Sequence, residues 1–146
     1  MTESNRREPT GAFGAAILAL ALGFLTAAPA VAQTSAPPED GFRKVSELVE
    51  LPEFIPGLGV LYVDPSTLPA GPFLAYDRDG ELVSTVYMVP LDDLDARKKL
   101  EGLDAAAAPV DHVDFVFNAG HPGVAEPHYH VILWHVSAEK AASLGG

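Results

Sequence analysis

The chain has 146 residues, no cysteine and a formal net charge of −11 at neutral pH. This length suffices for one domain with a buried core, and the lack of cysteine excludes disulfide bonds and thiolate metal sites. The acidic balance argues against binding to nucleic acids and anionic membranes, which attract basic surfaces, and it favours the attraction of cations.

The amino-terminal region predicts export. Two arginines precede an uncharged apolar stretch at 15–28, and the small-residue sequence A-V-A ends at Ala32. Basic, apolar and A-x-A segments in this order are typical of a secretory signal peptide, here residues 1–32, cleaved after Ala32. Because 11–32 is uncharged and long enough to cross a bilayer, an uncleaved anchor is the alternative. The mature protein is therefore expected in the periplasm or outside the cell.

The next region leads into the domain. Residues 33–54 are predicted to combine a Pro-rich polar tether at 33–41 with a short helix at 42–51, where apolar residues recur at helical spacing. Residues 55–146 are predicted to form a single α+β domain. Its first strand is predicted at 59–63, in the sequence G-V-L-Y-V.

A hairpin and a helix follow. The segments 73–76 and 82–89 are apolar and β-branched, and they flank the turn sequence D-R-D-G. This pattern predicts a β-hairpin with glycine at the position that requires positive φ. A helix is predicted over 91–103, because its acidic residues come first, its basic residues come later, and its leucines form an apolar stripe.

The carboxy-terminal part completes the predicted fold. Strand signals at 110–118 and 128–136 form a second hairpin, and a helix at 138–144 can close the domain. Successive hairpins favour antiparallel neighbours. The predicted fold class is therefore α+β, an antiparallel sheet of four to five strands with helices packed on one face.

The second hairpin also holds all five histidines of the chain, which lie between positions 112 and 135. Imidazole is the side chain best suited to binding a transition metal or moving a proton near neutral pH. Any chemistry of this protein is therefore expected in this hairpin.

Side-chain alternation sorts the hairpin into two faces. We expect the core to take the aliphatic and aromatic residues at odd positions, namely Val113, Phe115, Phe117, Tyr129, Val131 and Leu133. The opposite face then gathers His112, Asp114, Asn118, His128 and His130.

These polar residues predict a metal site. His128 and His130 project on the same side of one strand about 6–7 Å apart, a separation that one shared ion can bridge. Asp114 is a diagonal neighbour of His130 if residues 116 and 130 pair, and it lies opposite His130 in a register shifted by two, which also brings in His112. His121, in the loop sequence G-H-P-G, can fold over the same end. Nitrogen and oxygen donors of this kind suit Zn, Cu(II), Ni or Fe(II), and we favour Zn or Cu(II).

The other residues of the last strand have different expected roles. His135 shares the parity of the expected core face and is predicted to cap the strand end through hydrogen bonds. Ile132 and Trp134 share the polar face, where they form either a covered apolar wall or a partner interface.

Three candidate functions follow. We expect an exported protein that binds a divalent transition metal through the hairpin and buffers or carries it. The first alternative is a metal-assisted enzyme, in which His128, His130 and Asp114 hold an ion with an open position while His121 moves protons. A concave pocket beside the ion would distinguish the enzyme from a carrier. The second alternative is an oligomeric interaction module without metal.

Short motifs spread over residues 55–137 resemble those of a family of small exported bacterial proteins, a domain of unknown function with a G-H-P-G…P-H-[YF]-[DH] hairpin. The likeness rests on P-G-L-G at 56–59, Y-M at 87–88, D-H-V-D at 111–114, G-H-P-G at 120–123 and P-H-Y-H at 127–130. The resemblance implies an exported α+β domain that can assemble into a homo-oligomer, and it implies no established activity and no catalytic residues. Aspartate is commoner than histidine at the position of His130 in that family, so relatives would carry a His-x-carboxylate pair there.

Overall fold

The structure is a computed structural model that describes residues 34–39 and 41–145. The predicted signal peptide at 1–32 lies outside the described residues. Within them, no helix is long and apolar enough to cross a membrane.

The described residues build one antiparallel sheet of seven strands. The strands are β1 (Arg43–Lys44), β2 (Phe54–Ile55), β3 (Gly59–Val63), β4 (Phe73–Tyr76), β5 (Leu82–Pro90), β6 (His112–Asn118) and β7 (His128–Trp134). Their order is β1-β3-β4-β5-β7-β6, with β2 also paired to β3. The antiparallel sheet and both predicted hairpins are confirmed. The sheet has more strands than the predicted four to five because two-residue strands extend it at β3.

The helices in the described residues are short, so the protein is sheet-rich rather than a clear α+β fold with a helical layer. They are α1 (Leu91–Asp95) and α2 (Ala138–Ser143). The predicted helix at 91–103 is wrong beyond Asp95, because Arg97 adopts a φ of 54°. The Lys98 N–H then bonds back to the Asp93 carbonyl at 2.8 Å. That bond is the 6→1 closure of a Schellman motif, which ends a helix.

The segment before β3 also differs from its prediction. The expected helix at 42–51 is replaced by β1 and a short 3₁₀ turn at Val45–Glu47. The described part of the expected tether is bound to the β4–β5 hairpin, since Ala36 donates its N–H to the Gly80 carbonyl at 2.9 Å. Ser35 also forms a β-bridge with Glu81.

The hydrophobic core lies on the face opposite to the one predicted from the second hairpin. Residues 113, 115 and 117 of β6 are exposed, with Phe115 at 70%. The buried face instead carries His130 and Ile132, which pair with Met88 and Val86 of β5. The main core cluster is Val45, Val63, Phe73, Ala75, Val83, Val86, Met88, Ile132, Trp134, Ala141 and Leu144.

The reason for this reversal lies in the rest of the sheet. Apolar residues of β3, β4 and β5, together with α2, bury the histidine side of β7. A second cluster, on the other side of the sheet, contains Tyr62, Leu74, Tyr76, Leu82 and Ala106. β6 is an edge strand that pairs only with β7. Neither cluster includes a residue of β6, and the odd-numbered residues of β6 face solvent.

An ion pair between a buried carboxylate and a partly exposed lysine joins α2 to the β4–β5 hairpin. Asp77 is 5% exposed, and its Oδ2 lies 2.8 Å from the Nζ of Lys140. Its Oδ1 accepts the N–H groups of Asp79 and Glu81, each at 3.0 Å. Burial raises the pKa of the Asp77 carboxyl, but Lys140 and these donors lower that pKa by more, so it lies below its ordinary value.

We predict that Asp77→Ala lowers the free energy of unfolding by about 1–3 kcal/mol at pH 7, because it leaves two part-buried main-chain donors and an ammonium without their partner. Urea denaturation measures this loss. Because the folded-state pKa of Asp77 is lowered, the stabilisation is present above the unfolded-state pKa of about 3.9 and disappears as the pH falls through the folded-state pKa. The gap between wild type and variant should therefore narrow in acid.

The control is Asp79→Ala, which removes a neighbouring exposed carboxylate while keeping its main-chain N–H. It should change the free energy of unfolding by less than about 0.5 kcal/mol. Equal losses for the two variants, or a loss for Asp77→Ala that is the same at pH 3 and pH 7, would contradict this role.

Candidate metal centre

Three histidines converge at the loop end of the β6–β7 hairpin. His128 and His130 lie on β7, and His121 lies on the loop that connects the two strands. One ring nitrogen from each can be chosen so that all three lie within 4.8 Å of one another. The ring centroids are 4.8 Å apart for His128 and His130, and 5.0 and 5.6 Å from His121 to these two rings.

The loop at 119–127 places His121 through a tight turn of its own. His121 and Val124 exchange backbone hydrogen bonds at 2.8 and 2.9 Å. Gly120 and Gly123 adopt φ values of 125° and 90°, which side chains larger than glycine rarely adopt. The side chain of Asn118 accepts the Gly120 N–H at 2.9 Å and fixes the start of the turn. The turn thus folds the loop back over the strand.

Backbone carbonyls orient two of the three imidazoles. The Nδ1 of His128 donates to the Glu126 carbonyl at 2.7 Å, and the Nδ1 of His121 donates to the Pro122 carbonyl at 3.0 Å. Protons at Nδ1 leave the Nε2 lone pairs for an ion, an arrangement common among metal-binding histidines. With its Nδ1 protonated, His128 accepts through Nε2 from the Nε2–H of His130 at 3.0 Å. To bind an ion through Nε2, His130 would carry its proton on Nδ1 instead.

The electrostatic state of the group suits ligation. His128 is fully buried and His130 is partly buried. Burial lowers the pKa of His130 to about 4, and the neighbouring His128 and His121 act in the same direction. His130 is therefore neutral at pH 7, and neutral imidazole is the form that binds metals.

The spacing of the nitrogens can be compared with that in a tetrahedral site. Zinc–nitrogen bonds of about 2.0–2.1 Å hold the ligand nitrogens roughly 3.3 Å apart. The His128–His130 pair, at 3.0 Å, is already near that separation. The widest separation in the group is within 4.8 Å, so closure needs an inward shift of about an ångström or more. The residues present therefore fit an ion with three nitrogen ligands.

An apolar pocket opens beside this group. Its volume is about 230 Å³, and both His121 and His130 line it. Most of its wall is aliphatic or aromatic and includes Val49, Leu58, Leu61, Phe73, Met88 and Val124. The sequence of the hairpin does not reveal this pocket, because the wall comes largely from residues 45–73, far from the hairpin. Met88, which pairs directly with His130 across β5 and β7, also lines the pocket.

Two of the predicted ligands lie outside the group. Residues 116 and 130 pair, which is the first of the two registers considered from the sequence. In this register the Oδ2 of Asp114 accepts the Nε1–H of Trp134 at 2.8 Å. His112 stacks on the Trp134 ring at 5.9 Å and hydrogen-bonds Asp111 at 2.8 Å. The structure thus brings together His121, His128 and His130, and it engages Asp114 and His112 elsewhere.

Ile132, Trp134 and His135 have structural roles. The Nδ1 of His135 donates to the Pro109 carbonyl at 2.8 Å, and its Nε2 lies 2.9 Å from the Thr85 hydroxyl. Its predicted capping role is confirmed. Ile132 and Trp134 are buried, at 4% and 5% exposure, which makes them a covered wall.

Gly120→Ala tests the loop geometry. A Cβ on Gly120 would lie 2.5 Å from the Ala125 carbonyl oxygen, so the turn carrying His121 must shift. We expect zinc affinity, measured by calorimetric titration, to fall roughly 10- to 100-fold, as when a supporting contact of a metal ligand is lost. Gly102→Ala is the control, because Gly102 also has positive φ, at 69°, but a Cβ there meets nothing within 4 Å. Unchanged zinc affinity in Gly120→Ala would show that the loop does not position a ligand.

Fold and site together define a class of protein, an antiparallel-sheet domain with a three-histidine group at the end of a hairpin beside an apolar pocket. The crystal structure of a hypothetical protein from Thermus thermophilus, TTHB210, is 49% identical to this chain, with a TM-score of 0.59. The match covers 71% of this chain and 97% of that one. This chain therefore belongs to the same family as the Thermus protein. No protein-family model and no curated protein matches the chain.

Proposed function

We propose that this protein binds one divalent transition metal ion through His121, His128 and His130, and that it buffers or carries that ion after export. The observation that carries the proposal is the convergence of the three imidazoles, two of which have Nδ1 bonded to a backbone carbonyl, which leaves the lone pair on Nε2. Export is part of the proposal because of the basic, apolar and A-V-A order at 1–32.

The donor set favours zinc or Cu(II). Imidazole nitrogens suit both ions. The chain has no cysteine, so thiolate cannot select a softer ion here. The net charge of −11 would also concentrate cations near the protein.

The pocket supports metal-assisted catalysis as a second candidate. An ion with three protein ligands keeps a position for water, whose pKa zinc lowers to about 7. Both His121 and His130 line the 230 Å³ pocket, so a small substrate could lie beside that position. The chain's own contribution would be to orient the imidazoles and to exclude water with the apolar wall.

The exposed face of β6 supports assembly with a second copy of the chain. We define this β6 face by Val113, Phe115 and Phe117, which are 48%, 70% and 53% exposed. An edge strand with such a surface favours association. A second copy would present the same antiparallel edge, so two copies can pair about a two-fold axis.

Metal titration tests the main proposal. The purified mature protein is expected to bind zinc or Cu(II) at about one ion per subunit, and elemental analysis as isolated should find metal that a chelator-treated sample lacks. Calorimetry on the stripped protein measures the stoichiometry. Absence of saturable binding for both ions would remove the proposed function.

A further inference from the structure

The apolar pocket has a polar end and an aliphatic end. Its polar lining consists of His121, His130 and Asn118, all near the loop end of the β6–β7 hairpin. The rest of the wall, from residues 45–73 together with Met88, Pro122, Gly123 and Val124, offers almost only carbon. A ligand matched to this pocket has one polar head and an apolar body.

The volume of the pocket limits the size of that body. An apolar protein cavity of roughly 150 Å³ accepts benzene. At about 230 Å³, this pocket has room for more than a six-carbon ring. A flexible chain of about six to eight carbons is the corresponding aliphatic size.

The charge at the polar end selects the head group. Three neutral imidazoles around a divalent ion leave two positive charges beside an apolar wall, and an uncompensated charge in such surroundings is costly. The pocket lining contains no Asp or Glu to offset the charge. It also contains no Lys or Arg that could hold an anion without the ion. A carboxylate, which is a good oxygen ligand for zinc, would satisfy the ion and its open position together.

We propose that the pocket binds a small aliphatic carboxylate, of about six to eight carbons, with its head on the metal ion and its chain against the wall formed by residues 45–73 and Met88. This assignment rests on the proposed metal site. The bound ion would then serve to bind a carboxylate ligand, a role that goes beyond buffering or carrying the ion.

A chain-length series on the wild-type protein tests the assignment. Acetate, butanoate, hexanoate, octanoate and dodecanoate are titrated calorimetrically into the zinc-loaded protein. Each buried methylene contributes about fourfold in affinity. We expect octanoate to bind at least 100-fold more tightly than acetate, with no further gain for dodecanoate, and chelator treatment should weaken octanoate at least 10-fold.

A variant in the pocket provides an independent arm. Leu58→Trp fills space at the aliphatic wall and should weaken octanoate at least 10-fold while leaving zinc at one ion per subunit. Leu94→Trp is the matched control, because Leu94 is half exposed on α1 and does not line the pocket. It should leave octanoate affinity unchanged.

The outcomes separate this assignment from the metal site itself. If zinc binds normally but acetate and octanoate bind with equal affinity, the aliphatic chain of the ligand does not lie in the apolar pocket. If chelator treatment leaves octanoate affinity unchanged, the carboxylate head does not bind the metal ion. A protein that binds neither zinc nor Cu(II) would remove the proposed function, and the carboxylate assignment would fall with it.

Discussion

Replacing His128 and His130 together by alanine is expected to abolish saturable zinc binding. The two Nε2 atoms lie 3.0 Å apart, so the double variant removes the pair that is already spaced for an ion. His121 alone, on a loop, supplies one nitrogen. An affinity loss of at least 1,000-fold, about 4 kcal/mol, is expected for the loss of two ligands. Competition against a chromophoric chelator measures it.

The controls separate ligation from folding. His112→Ala removes an imidazole of the same hairpin that lies outside the group, and zinc affinity should stay within about twofold of wild type. Because His128 is fully buried, His130→Gln alone provides a milder variant, which should weaken zinc binding while keeping the circular dichroism spectrum. Wild-type affinity in the double variant would rule out this histidine pair as ligands.

The double variant Phe115→Glu/Phe117→Glu is expected to convert an assembled protein into monomers. The two phenyl rings are the most exposed apolar groups of the β6 face, at 70% and 53%. Burying that face against a second copy would remove it from water, and carboxylates on both copies would repel each other. Light scattering after size-exclusion chromatography should find at least two subunits in wild type and one in the variant.

Salt and a surface control sharpen this prediction. Because each chain carries a net charge of −11, screening by salt should strengthen association of wild type. Leu94→Glu also adds a carboxylate at an exposed leucine, but away from β6, and should leave the mass unchanged. A wild-type protein that is monomeric at all tested concentrations would exclude assembly through this face.

Local patterns predicted the strands well. The segment 59–63 and the hairpin around the D-R-D-G turn match β3, β4 and β5 almost residue for residue. Alternation and turn chemistry are local, so they can be read directly from the sequence. The prediction of a helix over 91–103 was wrong beyond Asp95, because Arg97 takes a left-handed conformation that glycine normally adopts. Helix propensity does not indicate this local conformation.

The burial of the second hairpin could not be read from that hairpin alone. Phe115 and Phe117 are the largest apolar residues of β6, yet the core lies on the side of Ile132 and Trp134. Met88 and Val86 of the neighbouring strand determine which face of β7 is buried, because they pair with His130 and Ile132. The grouping of histidines on one face survived this reversal, since alternation holds whichever face is buried.

The prediction of the site was limited in a similar way. The i, i+2 spacing on one strand predicts His128 and His130 as ligands. The position of His121 in the connecting loop predicts it as a third ligand. Asp114 lies on the expected face, but its carboxylate is engaged by the Trp134 indole, a contact between strands that composition does not reveal. The pocket depends on segments distant in the chain, so only the folded protein places it beside the histidines.

The complete burial of His128 has a consequence for the kinetics of metal exchange. His128 has no solvent-accessible surface, whereas the His121 side of the group belongs to a turn at the molecular surface. An arriving ion would therefore meet the turn first and reach the innermost nitrogen last, and a departing ion would reverse that order. Opening of this turn, rather than diffusion through water, would then set the residence time of the ion.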